Sequence, residues 1–253
     1  MKNRNYILPS LFILVVSLII SSCAGTKGPE TRPVDEIFKN ALELFNSEDY
    51  LEARTLFELI KLQYPASQFA DDAQYYFAEI HFNREEYIMA AFHYNLLRRV
   101  YPGSEYGKIC LYKAAMSNFK LSPPFDRDQD YTRKAIDAFQ EFQYMFPTDS
   151  LYKEASERIM ELRTKLAYRE YFTAGLYIKM ESPNSSIIYY DAVINKFNDT
   201  KYYEPAFVGK IDAYMIMKKY DKVRDLIYLY KNNFPKGENL QKVETILNEI
   251  SKL

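Results

Sequence analysis

Two stretches decide the fold, VDEIFKNALELFNSEDYLEARTLFELIKLQYPAS from Val34 to Ser67 and DDAQYYFAEIHFNREEYIMAAFHYNLLRRVYPGS from Asp71 to Ser104. Apolar residues recur in both at helical spacing, with almost no strand-like alternation. Ala41 and Ala78 occupy the same place in a first helix, and Tyr50 and Tyr87 the same place before a second. There Ala53 and Ala90 are followed four residues on by Phe57 and Tyr94, then by Ile60 and Leu97, and finally by Tyr-Pro with Pro65 and Pro102. Self-similarity at this period marks a repeat architecture. Small residues let two helices of one unit approach, aromatics fill the space between units, and proline stops the second helix.

The pattern resembles the tetratricopeptide (TPR) repeat, a helix-turn-helix unit, and it continues with variations. A third unit pairs Lys108–Phe119, with Ala114 and Ala115, with Tyr131–Phe146, with Ala135, Phe139, Phe142 and then Pro147; the insertion LSPPFDRDQD separates the two helices. Leu151 to Glu181 contains no proline and one glycine, Gly175, so it reads as one long helix or as two with a bend. Its partner is Ser185–Phe197. A fifth unit spans Glu204–Pro235, and an amphipathic helix at Asn239–Ser251 puts Leu240, Val243, Ile246, Leu247 and Ile250 on one face, suited to cap the end of an array. The expected fold is therefore all-α: a TPR-like α-solenoid of about five helix-turn-helix repeats plus a C-terminal helix.

The segment before the repeats is a targeting signal. Lys2 and Arg4 form a positive n-region, and Ile7–Ile20 an apolar stretch shorter than the roughly 18–25 residues that span a bilayer. Ile20-Ser21-Ser22-Cys23 then resembles the bacterial lipobox. That resemblance implies a diacylglycerol thioether on Cys23, cleavage before it and acylation of its new amino group, which would anchor the chain stably. Ala24 after the cysteine favours the outer membrane by the lipoprotein sorting rule. With the thiol of Cys23 consumed by lipid, Cys110 has no partner for an intramolecular disulfide and reads as a buried apolar residue. The expected organisation is a signal peptide at 1–22, lipidated Cys23 and a tether to residue 33, repeats one to three at 34–147, repeats four and five at 148–235, and the capping helix at 236–253.

Composition narrows the function. Basic and acidic residues number 33 and 34, with no basic cluster, which argues against nucleic acid as a partner. There is no glycine-rich phosphate loop. The two histidines, His81 and His93, have no HExxH-type pairing, so neither metal nor catalytic site is expected, and no cofactor beyond the covalent lipid. Asp71-Asp72 and Glu85-Glu86 fall at expected helix starts, where carboxylates complement the dipole. What remains is surface. In a TPR array the first helix of each unit lines a concave groove, and the register places there Phe38, Leu42 and Phe45 from repeat one, Tyr75, Glu79 and Phe82 from repeat two, and Tyr112, Met116 and Phe119 from repeat three. Such a face suits an extended peptide with aromatic or apolar side chains, although some of these rings could instead pack on the neighbouring repeat.

The third repeat carries a more specific resemblance. Ala114 to Phe119, the Asp126-Arg127-Asp128-Gln129 insertion, Arg133-Lys134-Ala135, Phe139 and Phe146-Pro147 resemble the BamD family, also called ComL or YfiO, of the outer-membrane β-barrel assembly machinery. The lipobox, the short tether, the five repeats and the long helical stretch extend the likeness over the whole chain after the signal. The resemblance implies a lipoprotein facing the periplasm, with no enzymatic activity. It would bind the POTRA domains of the barrel subunit, BamA, largely through its C-terminal repeats, work beside other Bam lipoproteins, and receive the aromatic-ending strand of unfolded outer-membrane proteins in its N-terminal repeats. Tyr189 departs from the pattern, since many members carry an arginine there that contacts the barrel subunit. The helix after Pro235 also goes beyond the core pattern. The alternative within binding proteins is another periplasmic TPR lipoprotein that coordinates envelope or peptidoglycan assembly; an envelope peptidase or lytic transglycosylase would need a catalytic residue invisible to motif reading.

Overall fold

The computed structural model describes residues 32–252. The signal segment, Cys23 and all of the tether except Arg32 and Pro33 lie outside them. Among the described residues there are eleven α-helices and no strand: α1 Val34–Asn46, α2 Tyr50–Gln63, α3 Ala70–Asn83, α4 Tyr87–Val100, α5 Gly107–Leu121, α6 Asp130–Met145, α7 Tyr152–Lys179, α8 Pro183–Lys196, α9 Tyr203–Ile216, α10 Tyr220–Asn233 and α11 Leu240–Ile250. None is long and apolar enough to cross a membrane. The chain forms two compact units that part between Phe69 and Ala70.

The first unit holds α1 and α2. Ala41, Ala53, Phe57 and Ile60, four of the positions shared by the repeats, are fully buried where the two helices pack. The second unit holds α3 to α11, each helix packed on the next. The same four positions recur there as Ala78, Ala90, Tyr94 and Leu97, and again as Ala115, Ala135, Phe139 and Phe142, all with no exposed surface. Small residues at the crossings and rings between the helices thus sit where the sequence put them. Pro147 falls inside the second unit, where α6 packs on α7 and Phe142, Ile159 and Leu162 share one core cluster with Leu111.

The turn inside four of the helix pairs has one recurring form. Glu48, Glu85, Glu181 and Lys218 have φ between 55° and 64°, each two residues before the second helix. The next amide reaches back five residues: Asp49 N–H to Leu44 O, Glu86 to His81, Ser182 to Tyr177 and Lys219 to Tyr214. This is the Schellman closure of a helix, here with charged residues in the left-handed position that glycine usually fills. The third pair uses the insertion instead. Its Gln129 is fully buried, donates to the carbonyls of Pro124 and Arg127 at 2.7 and 3.0 Å, and accepts from the Thr132 hydroxyl at 2.7 Å. The ammonium of Lys165 on α7 donates to Ser122 Oγ and to Pro123 O, so the insertion is tied to the long helix.

The span from Leu151 to Glu181 resolves as the single 28-residue helix α7. Its first half packs on α6 and its second on α8, with Ala155, Ala167 and Ala174 fully buried along its length. Val243, Ile246 and Ile250 of α11 share a core cluster with Phe207, Ile211, Ile227 and Tyr230, so the apolar face of this helix is buried on the α9–α10 pair.

Candidate functional site

The nine residues expected to line a groove divide between the two units. In the first, Phe38 stacks on Phe69 with centroids 4.7 Å apart and meets the edge of Phe57 at 6.0 Å. Phe45 meets Tyr50 edge-on at 5.8 Å, and Phe38, Leu42 and Phe45 are all half-buried on α1.

In the second unit α3 and α5 supply the other six, and the structure sorts them. Tyr112 is 6% exposed and packs edge-on against Phe139 and Phe142, so its ring belongs to the core between α5 and α6. Glu79 is 8% exposed and is the polar centre of the site. Its Oε1 accepts from the fully buried Tyr94 hydroxyl at 2.6 Å, and its Oε2 pairs with Lys113 Nζ on α5 at 2.5 Å. Burial first, and then the Glu79 charge, push the Tyr75 and Tyr94 hydroxyls above the usual phenol range. Tyr75 is half-buried and stacks on Tyr106 at 4.2 Å; Tyr106 in turn donates to Asp72 at 2.8 Å.

Phe82, Met116 and Phe119 remain partly exposed. Phe82 and Phe119 occupy the same place in successive repeats, and each carries a cation. Lys113 Nζ lies 5.3 Å from the centre of the Phe82 ring, and the Arg158 guanidinium from α7 lies 5.0 Å from that of Phe119. Such contacts are favourable by about 0.5–1 kcal/mol when exposed and more when desolvated. Arg158 is also held by Glu154 and Glu161, both at 3.5 Å. The surface is therefore aromatic and cationic together, able to take an apolar side chain and to donate hydrogen bonds to carbonyls or carboxylates. Sequence reading found the rings but missed Lys113 and Arg158, which come from the next repeat's first helix. A cation 31 residues after Phe82 and another 39 after Phe119 leave no local signal.

The remaining polar candidates are internal. His81 and His93 are 5% and 9% exposed, stack at 5.1 Å, and both meet the Phe77 ring edge-on. His81 Nδ1 contacts Glu86. Among the described residues no group of His, Cys, Asp and Glu could hold a metal ion. Cys110 is fully buried, and burial pushes its thiol up to about 12, which keeps it protonated and inert. Tyr189 stacks on Tyr177 at 5.2 Å.

The family described as YfiO, outer membrane lipoprotein, matches residues 30–228. The outer membrane protein assembly factor BamD of Rickettsia prowazekii is 22% identical over 228 residues, covering 89% of this chain and 91% of its own. BamD of Neisseria meningitidis serogroup B is 25% identical over 251 residues, covering 91% and 93%. Among solved structures, a tetratricopeptide repeat protein from Parabacteroides merdae aligns at 12% identity over 85% of this chain and 73% of its own, with a TM-score of 0.38. The TPR2AB domain of yeast Sti1 aligns at 11% identity over 86% and 98%, with a TM-score of 0.40. The match over residues 30–228 takes in α1 to α9 and most of α10, and the chain belongs to the YfiO family of outer membrane lipoproteins.

Proposed function

We propose that this protein is a lipid-anchored scaffold of outer-membrane β-barrel assembly, acting by binding and performing no bond chemistry. The family match carries the reading, together with relatives that bear the name of outer membrane protein assembly factor and align over nine-tenths of their length. Cys23 holds the anchor as a diacylglyceryl cysteine, and the scaffold works at the periplasmic face of the outer membrane. Its partners are a BamA-like barrel subunit, engaged through POTRA domains, the other Bam lipoproteins, and unfolded outer-membrane proteins. The surface carrying Phe82, Met116, Phe119, Lys113 and Arg158 supports a site for the last of these. An extended chain laid across α3 and α5 would set its apolar side chains on the rings and its carbonyls on the two cations.

Depletion of the protein should lower the amount of folded barrels in the outer membrane, and its purification from solubilised membrane should recover the barrel subunit. Unchanged barrel levels, or a purification without that subunit, would refute the assembly role. Independently, Phe82→Ala combined with Phe119→Ala should weaken binding of a barrel C-terminal peptide by tenfold or more, since buried aromatic anchors dominate such interfaces at about 1–2 kcal/mol or more each. Circular dichroism should show unchanged helix content. Equal affinity before and after the double substitution would remove the binding surface and leave the scaffold role standing.

A further inference from the structure

Two glycines lie within helices of the second unit, Gly175 one turn from the C-terminal end of α7 and Gly209 in the middle of α9. Glycine is among the poorest helix formers, so each position calls for a reason. For Gly209 the reason is internal: a Cβ there would fall 2.3–2.6 Å from the ring and hydroxyl of Tyr190, which packs directly on the α9 backbone. For Gly175 no such neighbour exists. A Cβ built on it meets no atom within 4 Å.

The space over Gly175 is a cleft of about 240 Å³ whose walls are Tyr168, Phe172, Leu176 and Tyr190. Phe172 and Leu176, in the last two turns of α7, are each 41% exposed. One wall is set by the insertion: the Phe125 ring meets Tyr168 and Phe172 edge-on at 4.5 and 5.2 Å, and Lys165 ties the same segment to α7. The cleft is thus preformed. It is smaller than the roughly 300–1,000 Å³ of small-molecule sites, and its size suits one inserted side chain. Lys179, one turn beyond Gly175, is the single charged residue lining it and makes no ion pair among the described residues. A glycine floor, aromatic walls and an unpaired ammonium at the rim describe a receptor for an apolar side chain with a carboxylate beside it.

We propose that the cleft over Gly175 is a docking pocket for a segment of a partner protein that presses one aromatic or leucine side chain against the α7 backbone and sets an acidic group on Lys179. This surface is separate from the rings of α3 and α5, and the proposal stands whether or not those rings bind unfolded chains. It also gives the insertion a task, since Phe125 holds the wall that the inserted side chain would touch.

The test uses the full chain, with 3-phenylpropionate and its neutral amide as probes and the methyl resonances of Leu176 as the readout. The acid should produce saturable shifts in the millimolar range and bind at least fivefold more tightly than the amide. Lys179→Gln should erase that difference. Gly175→Leu should abolish the shifts without lowering the melting temperature, because it places a better helix former in open space; Gly175→Ala should raise the melting temperature and weaken the probe only in part. Absence of saturable shifts, equal binding of acid and amide to the unaltered chain, or shifts that survive Gly175→Leu would each overturn the proposal.

Discussion

The two ends of the second unit use the same pair of residues for opposite purposes. At α3–α5 the buried Tyr94 donates to Glu79 at 2.6 Å; at α9–α11 the buried Tyr230 donates to Glu204 at 2.7 Å. Each tyrosine lies on the second helix of its pair and has no exposed surface. The difference is where the carboxylate spends its other lone pairs. Glu79 hands them to Lys113, on the first helix of the following repeat. Glu204 accepts instead from the backbone and side chain of Asn239 at 2.9 and 3.1 Å, the residue that begins the closing helix α11. Where the array continues, the carboxylate binds a cation that also faces the aromatic surface. At the α9–α10 pair it fixes the start of α11 instead.

The sharpest way to break this comparison is to remove the carboxylates. Glu79→Ala leaves a buried phenol without an acceptor and Lys113 without its counterion, at a cost of about 3 kcal/mol. It should appear as a lower urea midpoint with an unchanged slope. Glu204 is half-exposed, and Tyr230→Phe removes only one of the donors around it. That substitution should cost about 1 kcal/mol and speed amide exchange chiefly in α11. If Tyr230→Phe proves as damaging as Glu79→Ala, or if exchange quickens uniformly along the unit, the two ends do not differ as described.

These contacts also show what the sequence could and could not reveal. The repeat was legible because its positions are set by helix packing alone: alanine at the crossings and a ring four residues later recur in the first three pairs as Ala53 and Phe57, Ala90 and Tyr94, and Ala135 and Phe139, all fully buried. The polar links obey the same period yet were missed. Lys113 reaches Glu79 and Tyr106 reaches Asp72 across 34 residues each, and Arg163 reaches Asp199 across 36. A long side chain finds its partner one repeat away through rotamers and exposure, neither of which is written in the local pattern. For the same reason Tyr112 could not be told from its groove-lining neighbours: a small rotation of α5 about its axis decides between core and surface. The single course of α7 was equally open, because Gly175 weakens a helix without ending one.

The two tyrosines also carry a pH signature. Burial, and then the adjacent glutamate, hold the hydroxyls of Tyr94 and Tyr230 above their ordinary value of about 10. Above that pH the unfolded chain releases these protons while the folded chain keeps them, so the unfolded state binds fewer protons and stability falls as pH rises. A phenylalanine cannot contribute to that fall. The cost of Tyr94→Phe measured at pH 7 should therefore stay constant up to about pH 9.5 and then shrink by up to about 1.4 kcal/mol per pH unit between about 10 and 11. Tyr230→Phe should show the same sign. Taking the difference between each variant and the unaltered chain cancels the titration of other groups, including Lys61, whose ammonium burial lowers to about 8 and which acts in the opposite direction. A cost that stays constant through pH 11 for both variants would mean that neither hydroxyl is held by its glutamate, and the likeness between the two ends would lose its basis.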